Sequence, residues 1–416
     1  MNKNSLNVLI VGHACNPYKG SEPGFTWNWA WHLSKYHNVW VVTHPHNRSD
    51  IDRYLLTNPN ENLNFIWVDS GKVRIWDPSK GERGIRLHYI LWQRQVYKEV
   101  LNISNTIKID IVHHVSWGTI GAPPLLWKLP IPFIWGPIGG AQTPPKEFRK
   151  FFGGTWPKEI VRGLRIKLLS HLPSFRKAVR KSSLILATNN ETASLLSKFG
   201  SKNVKLLSDS GVSSELVSEN SIRMRDKNNK VFTIIWAGRL EYRKGLPLLL
   251  LALSKLKGEI DFNLIVVGDG PLKNKLEKLT AKLGLNNEIK FVGHISRSEL
   301  FVLFRKADVF VFTSLRDSFG SVVFEAMSQW LPVITLNHQG VGTFLPDNAS
   351  IKIPVTTPEE VINTLAIELL NLERSHDKRV KLGEQAVRFV QQNTWEIRAE
   401  KMSRWYKEVL DENCDF

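Results

Sequence analysis

Residues 236–245 read W-A-G-R-L-E-Y-R-K-G, and residues 317–326 read D-S-F-G-S-V-V-F-E-A. The first stretch continues the apolar run Val231 to Ala237, a buried strand by composition, and leads into a helix near Gly245 to Leu256. The second precedes a helix near Val322 to Gln329. Ligand sites of doubly wound sheets collect just beyond a strand's carboxyl end, which is where Arg239 and Lys244 fall. Arg offers a planar fork and Lys a mobile point charge, so together they suit the two phosphates of a diphosphate. A helix opening at Gly320, with the N–H groups of Phe319 to Val322 facing outward, adds a second anion-holding element. Asp317 and Glu325, two helical turns apart, supply acceptors of the kind that vicinal sugar hydroxyls need. A solvated basic turn and a plain helical carboxylate are the structural alternatives for each residue taken singly.

Working outward, the second half alternates strands and helices: Phe262 to Val267, a helix near Leu272 to Leu283, Ile289 to Val292, a helix near Ser298 to Lys306, Val309 to Phe312, and Pro332 to Thr335. The first half shows the same rhythm. Strands are expected at Asn7 to Val11, Val39 to Thr43, Phe65 to Val68, Ile111 to Val115, Ile131 to Trp135 and Leu184 to Thr188. Helices are expected near Gly24 to Tyr36, Arg86 to Thr106 and Glu191 to Phe199. Such alternation implies an α/β protein with two Rossmann-like, doubly wound parallel sheets. A polar stretch from Ser213 to Asn229 reads as the connection. The chain has 416 residues, which exceeds one ordinary core and fits two domains facing a cleft. In Trp395 to Glu412, Ile397, Met402, Trp405, Tyr406 and Val409 fall at helical spacing, so one face of a terminal helix is buried; on which domain the spacing leaves open.

The net charge of +17 is uneven, with 28 Lys and Arg against 14 Asp and Glu up to Glu215. Eleven of the 15 Trp lie in that same half. A basic, Trp-rich half suits an anionic partner such as a phosphate-bearing lipid, an acidic polysaccharide or a membrane surface. No zinc-finger or RNA-binding signature supports nucleic acid as a partner. Residues 146–181 hold 11 Lys and Arg among Phe148, Phe151, Phe152, Trp156, Ile160, Leu164, Ile166, Leu168 and Leu169. That composition fits an amphipathic segment lying on an anionic membrane, and equally a packed helix with a solvated basic face. No apolar run approaches membrane-spanning length, nor a signal peptide's apolar region. Cys15 and Cys414 form no disulfide framework or metal-ligand spacing, so a cytoplasmic setting without a cofactor or metal is expected. V-V-G-D-G-P contains Gly268 and Gly270 but has Lys273 where a dinucleotide fingerprint needs its third glycine, which argues against a dehydrogenase.

Taken together, G-R-L-E-Y-R-K-G, V-V-G-D-G-P, F-V-G-H-I, A-D-V-F-V-F-T-S and D-S-F-G-S-V-V-F-E-A-M closely resemble the retaining glycosyltransferases of family 4, which have the GT-B fold. P-Y-K-G-S-E-P-G and L-L-S-D-S-G-V resemble that family's first-domain loop and pre-linker segment more loosely. The resemblance implies an acceptor domain over 1–215, a nucleotide-sugar domain over 216–394, and a helix over 395–416 returning to the first domain. It implies transfer of a sugar, with retention, from a nucleotide diphosphate sugar to a hydroxyl of a glycan or lipid-linked glycan of the cell envelope. A non-catalytic binder of nucleotide sugar or anionic glycan, or a phosphorylase or epimerase, would use the same fold.

Residue by residue, Arg239 and Lys244 match the cations on the donor diphosphate, and Glu325 matches the ribose-binding Glu. Asp317 stands where Glu is usual near the donor sugar. Gly320 matches the backbone on sugar hydroxyls, and Gly20 a loop glycine near the phosphates. Gly238, Gly268, Ile295, Ser318, Phe319, Ser321 and Val322 complete the expected donor site. Near the anomeric centre the family carries His after the fourth strand; D-I-V-H-H-V-S offers His113 and His114, with Val115 replacing the second His of the frequent H-x-H pattern. Gly139 and Gly140, in W-G-P-I-G-G-A, and Trp117 are expected on the acceptor side. A buried, satisfied histidine and a tight surface turn are the alternatives.

Overall fold

The computed structural model describes residues 5–70, 76–77, 81, 84–169, 171–217 and 231–414. Most of the expected connection at 213–229 therefore lies outside the described residues. The chain divides into two compact units. The first comprises Met1–Ala141, Leu164–Asp209 and Trp395–Phe416, and the second Gln142–Gly163 and Ser210–Thr394.

The first unit is built on seven parallel strands, β1 (Asn7–Gly12), β2 (Asn38–Thr43), β3 (Leu63–Trp67), β4 (Ile111–Ser116), β5 (Phe133–Ile138), β6 (Leu184–Ala187) and β7 (Val204–Leu206). Their spatial order is β3-β2-β1-β4-β5-β6-β7. Val8 pairs with Val39 on one side and Ile111 on the other. Every residue of β4, β5 and β6 is buried, as helices on both faces of a parallel sheet require. Two apolar layers follow, one of them including Trp27, Trp29 and the terminal helix, the other Tyr89, Trp92 and Trp135.

That terminal helix, Trp395–Cys414, packs on helix Ser21–Leu33 within the first unit. Met402, Trp405, Tyr406 and Val409 are buried as their spacing predicts, whereas Ile397 is 41% exposed. Trp29 and Trp395 meet edge to face at 5.4 Å, and the Arg398 guanidinium lies over both rings. The aromatic contacts fix where the helix sits.

The second unit has six parallel strands, β8 (Phe232–Ala237), β9 (Phe262–Val267), β10 (Ile289–Gly293), β11 (Val309–Phe312), β12 (Val333–Leu336) and β13 (Ser350–Ile353), in the order β10-β9-β8-β11-β12-β13. Helix Leu246–Leu256 buries Leu246, Leu248, Leu249, Leu250 and Leu253 against helix Pro358–Arg374 and the sheet. Strand order reverses between β8 and β11. Among the described residues no helix is long and apolar enough to cross a membrane.

Candidate functional site

The loops leaving β8 and β11 meet at the reversal of strand order, the place where sheets of this kind bind ligands. Glycines let them meet. Gly268 has φ +122°, and a Cβ there would lie 2.0 Å from the Gly238 carbonyl, so the β8 and β9 loops touch backbone to backbone. Gly245, at φ +66°, ends the 3-10 turn Tyr242–Lys244, and its Cβ would fall 2.2 Å from the Thr313 carbonyl. Thr313 Oγ1 in turn donates to the Lys244 carbonyl at 3.0 Å. Lys244 is thereby seated against the end of β11.

Its ammonium is ion-paired with Asp317 and 14% exposed. Arg243 Nη1 stands 3.7 Å from the same Asp317 oxygen, and Ser314 Oγ donates to it at 3.3 Å. The Asp317 backbone N–H donates to Gln339 Oε1 at 2.7 Å, and the Ser318 N–H to Asp317 Oδ1 at 3.1 Å. Burial pushes the Asp317 carboxyl upward, but Lys244 and Arg243 outweigh it and hold the group below the usual aspartate range. Arg239, 62% exposed, is held at 2.9 Å by Glu241, which also takes Arg243 at 2.8 Å. Three cations thus share two carboxylates, leaving the cluster able to receive an anion.

Helix Ser321–Ser328 begins beside this cluster. Gly320 at its N-cap has φ +100°, a Cβ there would lie 2.7 Å from the Phe312 ring, and no side chain caps the first turn. The Ser318 carbonyl lies so close to Gly340 that a Cβ would come within 1.7 Å of it. Phe319 turns its ring inward onto Phe324, at 4.6 Å, so only its backbone serves the surface. On the same helix, Ser321 and Val322 are half-buried and Glu325 is 13% exposed. Burial raises the Glu325 pKa, opposed by Arg297 at 2.9 Å. Ile295, just past β10, packs into the apolar layer that contains Val267 and Phe312. Arg239, Lys244, Asp317, Gly320 and Glu325 therefore belong to one edge of one sheet.

In the first unit the expected residues have different surroundings. His113 is fully buried, with Nδ1 2.7 Å from the Tyr406 hydroxyl and Nε2 2.7 Å from the Gly136 carbonyl. Both nitrogens are occupied, and burial lowers its pKa to about 4. The ring brackets the terminal helix to β5. His114 Nε2 meets the Tyr89 hydroxyl at 2.9 Å, while its buried Nδ1 has no partner among the described residues. Trp117 stacks on Tyr89 at 4.2 Å. The Gly139 N–H donates to Gly118 at 2.9 Å, and Gly140 at φ +118° would bring a Cβ within 2.9 Å of Thr119 Oγ1. W-G-P-I-G-G-A is therefore half strand and half loop pairing, not a free surface turn. Gly20 is exposed and meets nothing within 4 Å, so its lack of a side chain is not dictated by packing. Glu22 accepts from the Gly118 N–H at 3.0 Å; its pKa is raised to about 7 by burial, an effect the Gly118 bond opposes and Asp209 reinforces.

Sequence reasoning missed Arg243, Arg297, Gln339 and Gly340. Arg243 sits in the quoted motif and was legible as a third cation; the others come from remote segments. Residues 142–163 also join the second unit. Gln339 Nε2 donates to the Thr143 carbonyl at 3.2 Å, and Arg316 Nε pairs with Glu159 at 2.9 Å.

The two parallel-sheet units are those of the GT-B fold class. Residues 217–389 match the family described as glycosyl transferases group 1. An uncharacterized glycosyltransferase of Methanocaldococcus jannaschii is 33% identical over 26% of this chain and 28% of its own length. The alpha-monoglucosyldiacylglycerol synthase of Streptococcus pneumoniae is 24% identical over 60% of this chain and 57% of its own. The chain thus spans little more than half of such relatives at most. Among solved structures, a glycosyltransferase from Rickettsia africae superposes with TM-score 0.65 at 19% identity, covering 98% of this chain and 99% of that one. Anabaena HepE in complex with UDP-glucose gives 0.62 at 16%, covering 98% and 100%. At these identities the likeness shows the fold.

Proposed function

We propose that this protein transfers a sugar, with retention of anomeric configuration, from a nucleotide diphosphate sugar held by the second unit to a hydroxyl of a glycan or lipid-linked glycan. The observation that carries this reading is the convergence of Arg239, Arg243 and Lys244 with the uncapped helix start at Gly320 on the switch point of the second sheet. A diphosphate leaving a sugar gains negative charge on its oxygens. Fixed cations and helix N–H groups aimed there stabilise that charge without reorganising, and they do the work a metal does in other designs. Asp317 keeps Lys244 oriented until the phosphates arrive, and lies beside the place for the donor sugar. Glu325 is the acceptor for the ribose hydroxyls. The UDP-glucose bound to HepE is consistent with this ligand class.

A lipid-linked acceptor is favoured by the basic helix Trp156–Leu169 and the turn after it. Ile160, Leu164, Leu168 and Leu172 recur every four residues and are 47–59% exposed. Lys158, Arg165 and Lys167 are exposed among them. A stripe of this kind lies in a membrane interface with its cations toward anionic headgroups, at the inner face of a plasma membrane in this reading. The lipid-named synthase of Streptococcus pneumoniae points the same way.

The test is product analysis by NMR with a panel of nucleotide sugars. The reading expects slow release of free sugar without acceptor, appearing first in the donor's own anomeric form. Tight donor binding with no turnover would make the protein a binder. Sugar phosphate or an isomerised donor would make it a phosphorylase or an epimerase.

A further inference from the structure

At the carboxyl ends of β1 and β2, far along the chain from the residues just described, four histidines gather. His13 follows β1, His44 and His46 follow β2, and His88 projects from helix Ile85–Ile103. His13, His44 and His88 are 1%, 8% and 3% exposed. One ring nitrogen from each of these three lies within 4.8 Å of the other two. Ring centroids of His13 are 5.2 Å from both His44 and His88, and those of His44 and His88 are 5.0 Å apart.

What sets this cluster apart is its unspent hydrogen-bonding capacity. Neither ring nitrogen of His13 or of His88 has a partner among the described residues. Buried polar atoms are almost always paired, and the one lone pair that each of these neutral rings carries is left without a partner here. A cation is the ligand that several lone pairs can share.

The surroundings match a metal's needs. His44 Nδ1 accepts from the His46 backbone N–H at 3.2 Å and lies 2.7 Å from His46 Nδ1. The Asp69 carboxylate lies 3.3 Å from His44 Nε2, 65% exposed, at the rim. Trp92, Trp76 and Tyr89 wall the cluster, their rings 5.0, 5.4 and 5.8 Å from His13. Zn–N bonds of about 2.0–2.1 Å need ligand nitrogens about 3.4 Å apart. From separations of up to 4.8 Å, the nitrogens would close by up to about 1.4 Å to reach that spacing. Imidazoles select zinc, copper or nickel over magnesium and calcium.

We propose that His13, His44 and His88 form a binding site for a zinc-class divalent metal ion, with Asp69 at its open side. It would clip the ends of β1 and β2 to helix Ile85–Ile103, all within the first unit and independent of the donor residues.

The experiment uses the full chain without a polyhistidine tag, stripped with chelator and titrated with Zn²⁺ by calorimetry and with Co²⁺ by absorption. One equivalent is expected, with a tetrahedral cobalt spectrum. His13→Gln and His88→Gln should each weaken Zn²⁺ binding at least a hundredfold, whereas His171→Gln, an exposed site, should not. His88→Cys should retain cobalt and add a thiolate charge-transfer band, a signal that misfolding would not produce. The proposal is overturned if the wild-type chain takes up no stoichiometric metal. It is equally overturned if His13→Gln and His88→Gln, melting like the stripped wild type, bind metal as the wild type does.

Discussion

The Lys244 ammonium and the Asp317 carboxylate, 73 positions apart, form a half-buried ion pair that ties the loop after β8 to the loop after β11. Removing one member of a buried pair leaves the other unpaired, which costs more than the pair contributes. In the proposed reaction Lys244 exchanges part of this partnership for the donor phosphates. Lys244→Ala should therefore lower turnover roughly a hundredfold, about 3 kcal/mol of transition-state stabilisation. Asp317→Ala should also depress donor affinity, because Lys244 and Arg243 lose the group that positions them. Steady-state kinetics on both variants, with melting curves as controls, checks this.

Glu325 waits in the grip of Arg297, at 2.9 Å. If it accepts ribose hydroxyls, that ion pair competes with the nucleotide. Glu325→Ala is expected to weaken donor binding about tenfold, the scale of one or two hydrogen bonds to a charged group. Arg297→Ala should tighten it a few-fold. Calorimetric titration with the donor distinguishes the two directions.

Much of the second unit was legible in the sequence. Val309 to Phe312 is a strand over the expected residues, because a parallel strand buried on both faces writes itself as an unbroken apolar run, and Phe262 to Val267 is one too, although the exposed Asn263 interrupts its run. β13 and helix Pro358–Arg374 carry no ligand motif, and they went unassigned. Gln339 and Gly340 escaped for a different reason. Their roles come from contact with Asp317 and Ser318, some 20 residues away, and no local pattern encodes such a contact. The histidine cluster is the extreme case, since His13, His44 and His88 share no spacing rule and meet only once β1, β2 and a helix have packed. His113 sits at a motif position, yet no local pattern encodes the contacts of its ring nitrogens with Tyr406 and Gly136.

The basic helix offers a further check. Arg162 is a poor probe of membrane contact, because it donates to the Gln142 carbonyl and pairs with Glu159 at 3.4 Å. The exposed residues are better. Lys158→Glu, Arg165→Glu and Lys167→Glu together should abolish co-sedimentation with anionic vesicles and leave turnover on a soluble acceptor intact. Leu164→Ser with Leu168→Ser should weaken it even at low salt. Binding unaffected by both sets would place this helix away from the bilayer.

Acid should loosen the first unit. His113 and His114 are buried and neutral, their pKa values lowered to about 4 and about 3, first by burial. Above pH 6.5 neither state of the protein binds these protons. Below it the unfolded chain takes them up while the folded chain does not, so stability falls from pH 6.5 toward pH 4. For His113 the full effect is on the order of 3 kcal/mol. His113→Asn should flatten that part of a melting-temperature profile across the same window.

The central claim is that Lys244 and its neighbours hold a pyrophosphoryl group at the second sheet. Thermal-shift measurement across a panel of nucleotide diphosphate sugars, run in parallel on the wild type and on Lys244→Ala, tests it most directly, since a bound donor stabilises the folded state by mass action. At least one donor should raise the wild-type midpoint by several degrees and leave the variant's nearly unmoved. No shift with any donor, or equal shifts in both proteins, would contradict the account.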